Sequence, residues 1–212
     1  MRNRGFTLIE MSISMVFIGV IGGIVFLTTD STSNAVRTGI AVAELDARAL
    51  RALERVCEGL KTSSSDLTTP QVASPLAGVE VDFQRGLGTD DAGATQWGPP
   101  EQYTLDYDED DDGADDDGDG LVDEGVLVWL ESPGLAGERR VVVTNGVREY
   151  LEGESFDGTD ENGNGLIDER GFCLEWGTNR VTVHLTLAGR DAHGNVLVST
   201  VERTVSFRNE GD

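Results

Sequence analysis

The chain opens with an unbroken apolar segment. Residues 6–27, FTLIEMSISMVFIGVIGGIVFL, contain one charged side chain, that of Glu10. A helix of this length reaches about 33 Å, which is enough to cross a hydrocarbon core of about 30 Å. Arg2 and Arg4 precede the segment, so we expect the N-terminus in the cytoplasm and the rest of the chain outside. The pattern predicts one membrane-spanning helix followed by an exported head.

The next segment, residues 28–60, changes to a periodic pattern. Apolar side chains recur there at steps of three and four, at Val36, Ile40, Ala43, Ala47, Leu50, Leu53, Cys57 and Leu60. This spacing is typical of a helix with one apolar face. We therefore predict one long helix over about residues 6–60, whose amphipathic second half packs on the head. The poor helix formers of TTDSTSN allow a kink near residue 30.

The remainder of the chain is divided into a connecting region and a β head. Residues 61–101 are rich in Ser, Thr, Gly and Pro and contain one short strand candidate, VEVDF at 79–83. From residue 102 to 212, strand patterns accumulate in YTLDY, VLVWL, VTVHLTL and VLVSTVERTVSF. The pair Asn145–Gly146 between two apolar runs predicts a hairpin turn. The predicted fold class is α+β, with a long N-terminal helix on a C-terminal antiparallel sheet.

Charge and composition exclude several functions. The formal net charge is −23, from 39 acidic and 16 basic residues, which does not suit a phosphate-binding surface, so we expect no nucleic-acid partner. The only histidines are His184 and His193, and neither a nucleophile motif nor a phosphate-binding loop is present. We predict that the protein is not an enzyme.

The two cysteines, Cys57 and Cys173, are not spaced as zinc ligands. In an exported protein, such a distant pair favours a disulfide, and here the bond would attach the helix to the head. The alternative is two buried free thiols that act as small apolar residues.

An acidic motif occurs twice. DGADDDGDGLVDE at 112–124 recurs as DGTDENGNGLIDE at 157–169, with an offset of 45 residues. Oxygen-bearing side chains at alternate positions, followed by a Gly, suit calcium, which takes six to eight oxygen ligands. The expected ligands of the first loop are Asp115, Asp117, Asp119, the carbonyl of Leu121, Asp123 and Glu124. Those of the second loop are Asp160, Asn162, Asn164, the carbonyl of Leu166, Asp168 and Glu169.

These loops resemble the calcium loops of EF-hand and thrombospondin type 3 proteins. Val126 and Gly171 stand where an EF-hand carries its bidentate Glu. That ligand could be replaced by Glu124 and Glu169, by Asp112 and Asp157 just before the loops, or by water. We expect two Ca²⁺ ions in all, bound at the modest affinity of extracellular modules, roughly 10⁻⁴–10⁻³ M, because this Glu is missing. The alternative is a pair of solvated acidic loops.

The N-terminal segment carries a second resemblance. A short basic leader, residues 1–5, followed by Gly5, Phe6 and then TLIE with Glu10, resembles the prepilin motif of type IV pilins and type II secretion pseudopilins. The resemblance implies a pilin-like fold and cleavage by prepilin peptidase between Gly5 and Phe6, with methylation of the new N-terminus. It also implies that Glu10 pairs with the N-terminal amine of a neighbouring subunit, which would partly compensate a charge in an apolar setting.

The same resemblance implies a location and a function. The chain would lie in the inner membrane as a single-pass protein with its head in the periplasm, and then join other pilin or pseudopilin subunits in a filament or at the cell surface. Because the head is large, we expect a minor subunit of a type IV pilus or of a type II secretion filament. The alternative is a membrane-anchored, calcium-dependent adhesin or partner-binding protein that uses the pilin helix as an anchor.

Overall fold

The N-terminal helix, α1, spans Leu8–Lys61 in a computed structural model that describes residues 7–69, 80–107, 114–115, 118–161, 163, 167–177 and 179–208. The predicted long helix is confirmed. It continues through TTDSTSN, where the hydroxyls of Thr28, Thr29 and Thr32 donate to carbonyls four residues earlier, at 2.8–3.0 Å. These side chains are therefore satisfied on the backbone of the helix itself and do not end it.

The chain divides into two compact units, Met1–Ile40 and Ala41–Asp212. The described part of the first unit is helix, apart from Thr7, and its apolar side chains are exposed. Its most apolar stretch of 18 residues has a mean hydropathy of 2.2 and no buried residue. By length and composition this helix is sufficient to cross a membrane.

The second unit is built on a seven-stranded antiparallel sheet. Its strands are β1 (Glu80–Thr89), β2 (Thr95–Tyr107), β3 (Gly125–Glu131), β4 (Arg139–Val147), β5 (Phe172–Gly177), β6 (Arg180–Arg190) and β7 (Val196–Ser206). Strands β1 to β4 are neighbours in chain order, and β4 meets β6 at the single pair Val147–Leu187. Strand β5 pairs with residues Arg180–Leu185 of β6, on the same edge of β6 that meets β4. Strand β7 pairs with the other edge of β6 along the whole length of β6. The predicted antiparallel head is confirmed.

Residues 45–60 of α1 cover one face of this sheet. The predicted apolar face is wrong for its first part, because Val36, Ile40 and Leu50 are exposed. The buried residues of α1 are Leu45, Ala49, Ala52, Leu53, Val56, Cys57, Gly59 and Leu60, and all but Gly59 belong to the single core cluster that includes residues of β1 to β7. Gly59 lets the helix approach β2, because a Cβ there would lie 2.8 Å from the hydroxyl of Tyr103. Burial of a Leu or Val side chain stabilises the fold by about 1.5–3 kcal/mol, so this packing attaches the helix to the sheet.

The prediction of a connecting region over residues 61–101 is wrong for its second half, although its strand candidate VEVDF corresponds to the start of β1 from Glu80 onward. Residues 80–101 belong to β1 and β2, which form a hairpin closed at Asp90, whose carboxylate accepts from the backbone N–H groups of Ala92 and Ala94 at 2.9 Å. Register shifts between Gln84 and Gly88 interrupt the ladder. These irregularities, together with two prolines in β2, remove the alternating pattern by which a strand is recognised.

The predicted hairpin turn at Asn145–Gly146 is also wrong. Both residues lie inside β4, and the connection from β3 to β4 is formed instead by residues 132–138. Gly146 has φ of +66°, and a Cβ there would lie 2.8 Å from the carbonyl oxygen of Ala188 in β6. The glycine is therefore required by a close approach of two strands and not by a turn.

The predicted disulfide is absent, because Cys57 and Cys173 are both buried free thiols. Cys57 faces the sheet from α1, on the side where Leu174 of β5 packs into the core. Side chains alternate between the two faces of a strand, so Cys173, next to Leu174, points to the opposite face. A bond between the two sulfurs would have to pass through the sheet.

Candidate functional site

The side chain of Glu10 forms the N-terminal cap of α1. Its carboxylate accepts from the backbone N–H and from the hydroxyl of Thr7, both at 2.8 Å, and the N–H of Glu10 faces the Thr7 hydroxyl oxygen at 3.4 Å. This reciprocal arrangement is a capping box. Its signature, a Thr followed three residues later by a Glu, is present in the sequence at Thr7 and Glu10 but was not among the predicted features. Gly5 and Phe6, the predicted processing site, lie outside the described residues.

The cap gives Glu10 a role within its own chain. The carboxylate stabilises the first turn of α1 by satisfying an N–H that has no partner inside the helix. The same carboxylate is exposed, so a cation can reach it from outside. An incoming amine would share or replace the hydrogen bonds from Thr7, and α1 positions the acid for either contact.

The two acidic repeats lie in the connections between strands. The first precedes β3 and the second precedes β5. Asp117, Asn162, Asn164 and Leu166, all expected ligands, fall outside the described residues. The remaining expected ligands are described, and they show that the repetition extends from the sequence to the backbone.

Equivalent positions of the two repeats have the same geometry. The carboxylates of Asp115 and Asp160 accept from the N–H groups three residues later, both at 2.6 Å. Asp123 and Asp168 both have φ of 54°, a left-handed conformation that is uncommon for any residue except glycine and for which Asp and Asn are favoured among the others. Such residues concentrate at binding sites, where the surroundings hold the chain in a strained form.

The positions of the missing EF-hand Glu lie at the ends of the repeats. Val126 already belongs to β3, and position 171 has no space for a side chain, because a Cβ on Gly171 would lie 1.9 Å from the carbonyl oxygen of Arg148. Glu124 and Glu169, two residues before these positions, are 8 % and 1 % exposed. A carboxylate is rarely buried to this extent without a cation or hydrogen-bond donors.

Further hydrogen bonds connect the two ends of the second repeat. The Asp168 carboxylate accepts from the N–H groups of Asp157 and Gly158, at 3.1 and 3.0 Å. The Thr159 hydroxyl lies between the carboxylates of Asp157 and Glu161, and its hydrogen bond lowers the pKa of Asp157. Asp157 is therefore ionised over a wider pH range than an ordinary Asp.

The described residues do not by themselves complete a metal site. Among them, no three side chains of the His, Cys, Asp or Glu type are gathered closely enough to hold an ion. In the first repeat the guanidinium of Arg190 donates to the carbonyl of Gly120. The donor chemistry of both loops fits calcium, which uses carboxylates, carbonyls and water.

A cavity of about 560 Å³ separates the first repeat from the point where β4 and β6 diverge. Asp119 and Glu124 line it together with Arg48, Arg140 and Arg190. Arg48 donates to the carbonyl of Ala188 at 3.0 Å, and burial lowers the pKa of its guanidinium. The charged lining therefore consists of three guanidinium groups and two carboxylates.

The opposite face of the sheet holds a Cys–His pair that does not suit catalysis. Cys173 is directly opposite His184 in the β5–β6 ladder, and the imidazole lies 3.5 Å from Glu202 and 3.8 Å from Glu175. Cys173 is fully buried, and burial, with Glu169 and Glu175 nearby, raises the pKa of its thiol to about 12. A nucleophilic cysteine needs an accessible thiolate, and this thiol is neither accessible nor ionised.

The comparisons with known proteins support the N-terminal segment described above. Residues 1–26 match the family model described as the prokaryotic N-terminal methylation motif. No curated protein and no solved structure matches the chain. The motif and the long helix packed on an antiparallel sheet support a type IV pilin-like or pseudopilin-like protein.

Proposed function

We propose that the protein is a minor subunit of a type IV pilus or of a type II secretion filament. Prepilin peptidase would cleave it between Gly5 and Phe6, and α1 would then join the helices of other subunits in the filament core. The observation that carries this proposal is the N-terminal methylation motif, matched at residues 1–26, at the start of a 54-residue helix whose first half is apolar and exposed. Such a surface requires lipid or other helices around it.

Glu10 would set the position of each subunit along the filament. In the free chain its partner is Thr7, and in the filament it would pair with the methylated N-terminal amine of a neighbouring subunit. A charge surrounded by apolar groups is costly when alone and is partly compensated when paired, so the contact would favour one axial register.

The experiment that tests processing is mass spectrometry of the chain from membranes and from purified filaments. We expect a mature N-terminus at a methylated Phe6, and a Gly5→Val variant that keeps its leader. An unprocessed chain in the wild type would contradict the proposal. Quantification of the same filament sample tests the minor assignment, since a copy number equal to that of the main subunit would refute it.

We further propose that each acidic repeat binds one calcium ion in the extracellular head. Asp115, Asp117, Asp119, Asp123 and Glu124 would hold the first ion, with the carbonyl of Leu121. Asp160, Asn162, Asn164, Asp168 and Glu169 would hold the second, with the carbonyl of Leu166. The backbone conformation that Asp123 shares with Asp168, and the hydrogen-bond pattern that Asp115 shares with Asp160, support this assignment, since similar donors in similar positions are expected to bind the same ion.

A further inference from the structure

Three arginines surround the indole of Trp129. The guanidinium carbon of Arg55 lies 6.0 Å from the ring centre, that of Arg85 at 5.7 Å and that of Arg139 at 5.9 Å. These distances suit cation–π contacts, to which Arg and Trp are the best contributors. We call these four residues the Trp129 cluster.

The cluster is assembled from four elements on the helix-covered face of the sheet. Trp129 lies in β3, whereas Arg55, Arg85 and Arg139 come from α1, β1 and β4. The buried carboxylate of Glu101 fixes the centre, because it accepts from the indole N–H at 2.6 Å and from Arg85 Nε at 2.8 Å. The ring is thereby held in one orientation, with the guanidinium groups around it.

The charge of the cluster is only partly compensated within its own chain. Arg85 pairs with Glu101, but Arg55 and Arg139 are exposed and form no ion pair within 4.0 Å in the part of the chain that the structure describes. Glu131 is the cross-strand neighbour of Arg139 and offsets part of its charge from a distance. The chain has 16 basic residues against 39 acidic ones, so three cations at one ring are a marked concentration.

We propose that the Trp129 cluster is a docking surface for an acidic polypeptide segment of a different, neighbouring subunit. Arg and Trp dominate the energetic centres of protein interfaces, and a guanidinium binds a carboxylate in two parallel hydrogen bonds. Because each guanidinium carbon lies within 6.0 Å of the ring centre, no two are more than about 12 Å apart. An extended chain repeats its side chains on one face about every 6.6–6.8 Å, so alternate carboxylates of one segment reach two of the arginines.

The charge of the whole molecule argues against a second copy as the occupant. Two chains of formal charge −23 repel one another at long range, whereas an acidic segment on a less charged body does not meet this barrier. That the partner is a filament neighbour rests on the proposed function, but the binding of an acidic peptide does not.

The test uses the full chain in detergent and a fluorescent, capped peptide of alternating aspartate and serine. A peptide with asparagine in place of aspartate is the control ligand. We expect the aspartate peptide alone to bind, less tightly at higher salt, and Arg55→Gln and Arg139→Gln each to weaken binding about fivefold. Arg51→Gln is the matched control variant, because Arg51 is exposed on the same helix one turn away and does not contact Trp129.

Equal binding of both peptides, or unchanged binding by the Arg55→Gln/Arg139→Gln double variant, would overturn the proposal. Self-association of the chain that disappears in the double variant would make a second copy the occupant and would overturn the choice of partner. Absence of the chain from filaments, with peptide binding intact, would refute the proposed function and leave the docking surface in place.

Discussion

Asp123 and Asp168 lie 45 residues apart and have the same left-handed backbone conformation, with φ of 54°. Each follows an exposed apolar residue, Val122 or Ile167, and each precedes a buried Glu. At these described positions the repeat in the sequence is therefore also a repeat in backbone conformation. The left-handed conformation is unfavourable for a residue other than glycine, and it occurs at the same position of both repeats. This indicates that the same constraint acts on both loops.

The first prediction concerns calcium at these two positions. The full chain in detergent, freed of metal by a chelator, is expected to bind two ions in calorimetry and to melt at a higher temperature in millimolar calcium, since a ligand that binds only the folded state stabilises it. Asp123→Asn and Asp168→Asn should each weaken one site about tenfold or more, because Asn keeps the backbone conformation but removes a charge from the ligand set.

The control for this prediction is Asp66→Asn, an exposed acid in the short 3₁₀ turn at Ser65–Leu67. It should bind calcium as the wild type does. If calcium produces neither heat nor a melting shift, the acidic repeats are solvated loops and the calcium proposal fails.

The second prediction concerns the two thiols. Burial raises the pKa of Cys57 to about 11 and that of Cys173 to about 12, so at pH 8 about one molecule in a thousand or fewer carries either thiolate. We expect the native chain to react with a thiol reagent only very slowly and the denatured chain to react at once at two sites. Mass spectrometry of the non-reduced chain should find both thiols, and a peptide linked between Cys57 and Cys173 would contradict the strand register.

The third prediction concerns the buried acid beneath Trp129. Burial raises the pKa of Glu101, against the opposing effect of the hydrogen bonds from Trp129 and Arg85. A carboxyl whose pKa is higher in the folded state binds more protons there than in the unfolded state, so its contribution to the free energy of unfolding falls as pH rises through that pKa. Glu101→Gln keeps an acceptor for the indole N–H and lacks this titration.

Urea denaturation of the wild type and of Glu101→Gln between pH 4 and pH 7 measures this effect. We expect the stability of the variant relative to the wild type to increase with pH across the range. A difference that stays constant with pH would show that Glu101 does not titrate in this way.

The sequence predicts the elements whose patterns are strong and local. The alternation in VTVHLTL predicts β6. The periodic apolar residues predict the packed end of α1 correctly at Leu53, Cys57 and Leu60, but Leu50 and the earlier residues of the same series are not buried. The start of β1 in VEVDF and the end of β2 in YTLDY were predicted, but the rest of this hairpin was missed because glycines and prolines interrupt its pattern. The signal at Asn145–Gly146 was misleading because the conformation of Gly146 is set by the close approach of β6, which no local pattern contains.

The candidate sites also differ in whether the sequence alone reveals them. The processing motif and the acidic repeats are contiguous in the chain and are therefore visible in the sequence. The positions of Cys57 and Cys173 on opposite faces depend on how strands pair. The Trp129 cluster joins residues from position 55 to position 139, and only the folded sheet brings them to one ring.

Glu10 is the residue whose charge would hold the chain in a filament through its N-terminal helix, so its substitution tests this proposal. We would express Glu10→Gln beside the wild type and measure the amount of each processed chain in purified filaments. Glu10→Gln keeps an oxygen that can accept from Thr7 but has no charge for a neighbour's amine. The control is Asp30→Asn, which removes an exposed acid further along the same helix.

We predict that Glu10→Gln is cleaved normally after Gly5 and is nearly absent from filaments, while Asp30→Asn is incorporated like the wild type. Incorporation of Glu10→Gln at the wild-type level would contradict the account, because the charge of Glu10 would then serve only the cap of its own helix.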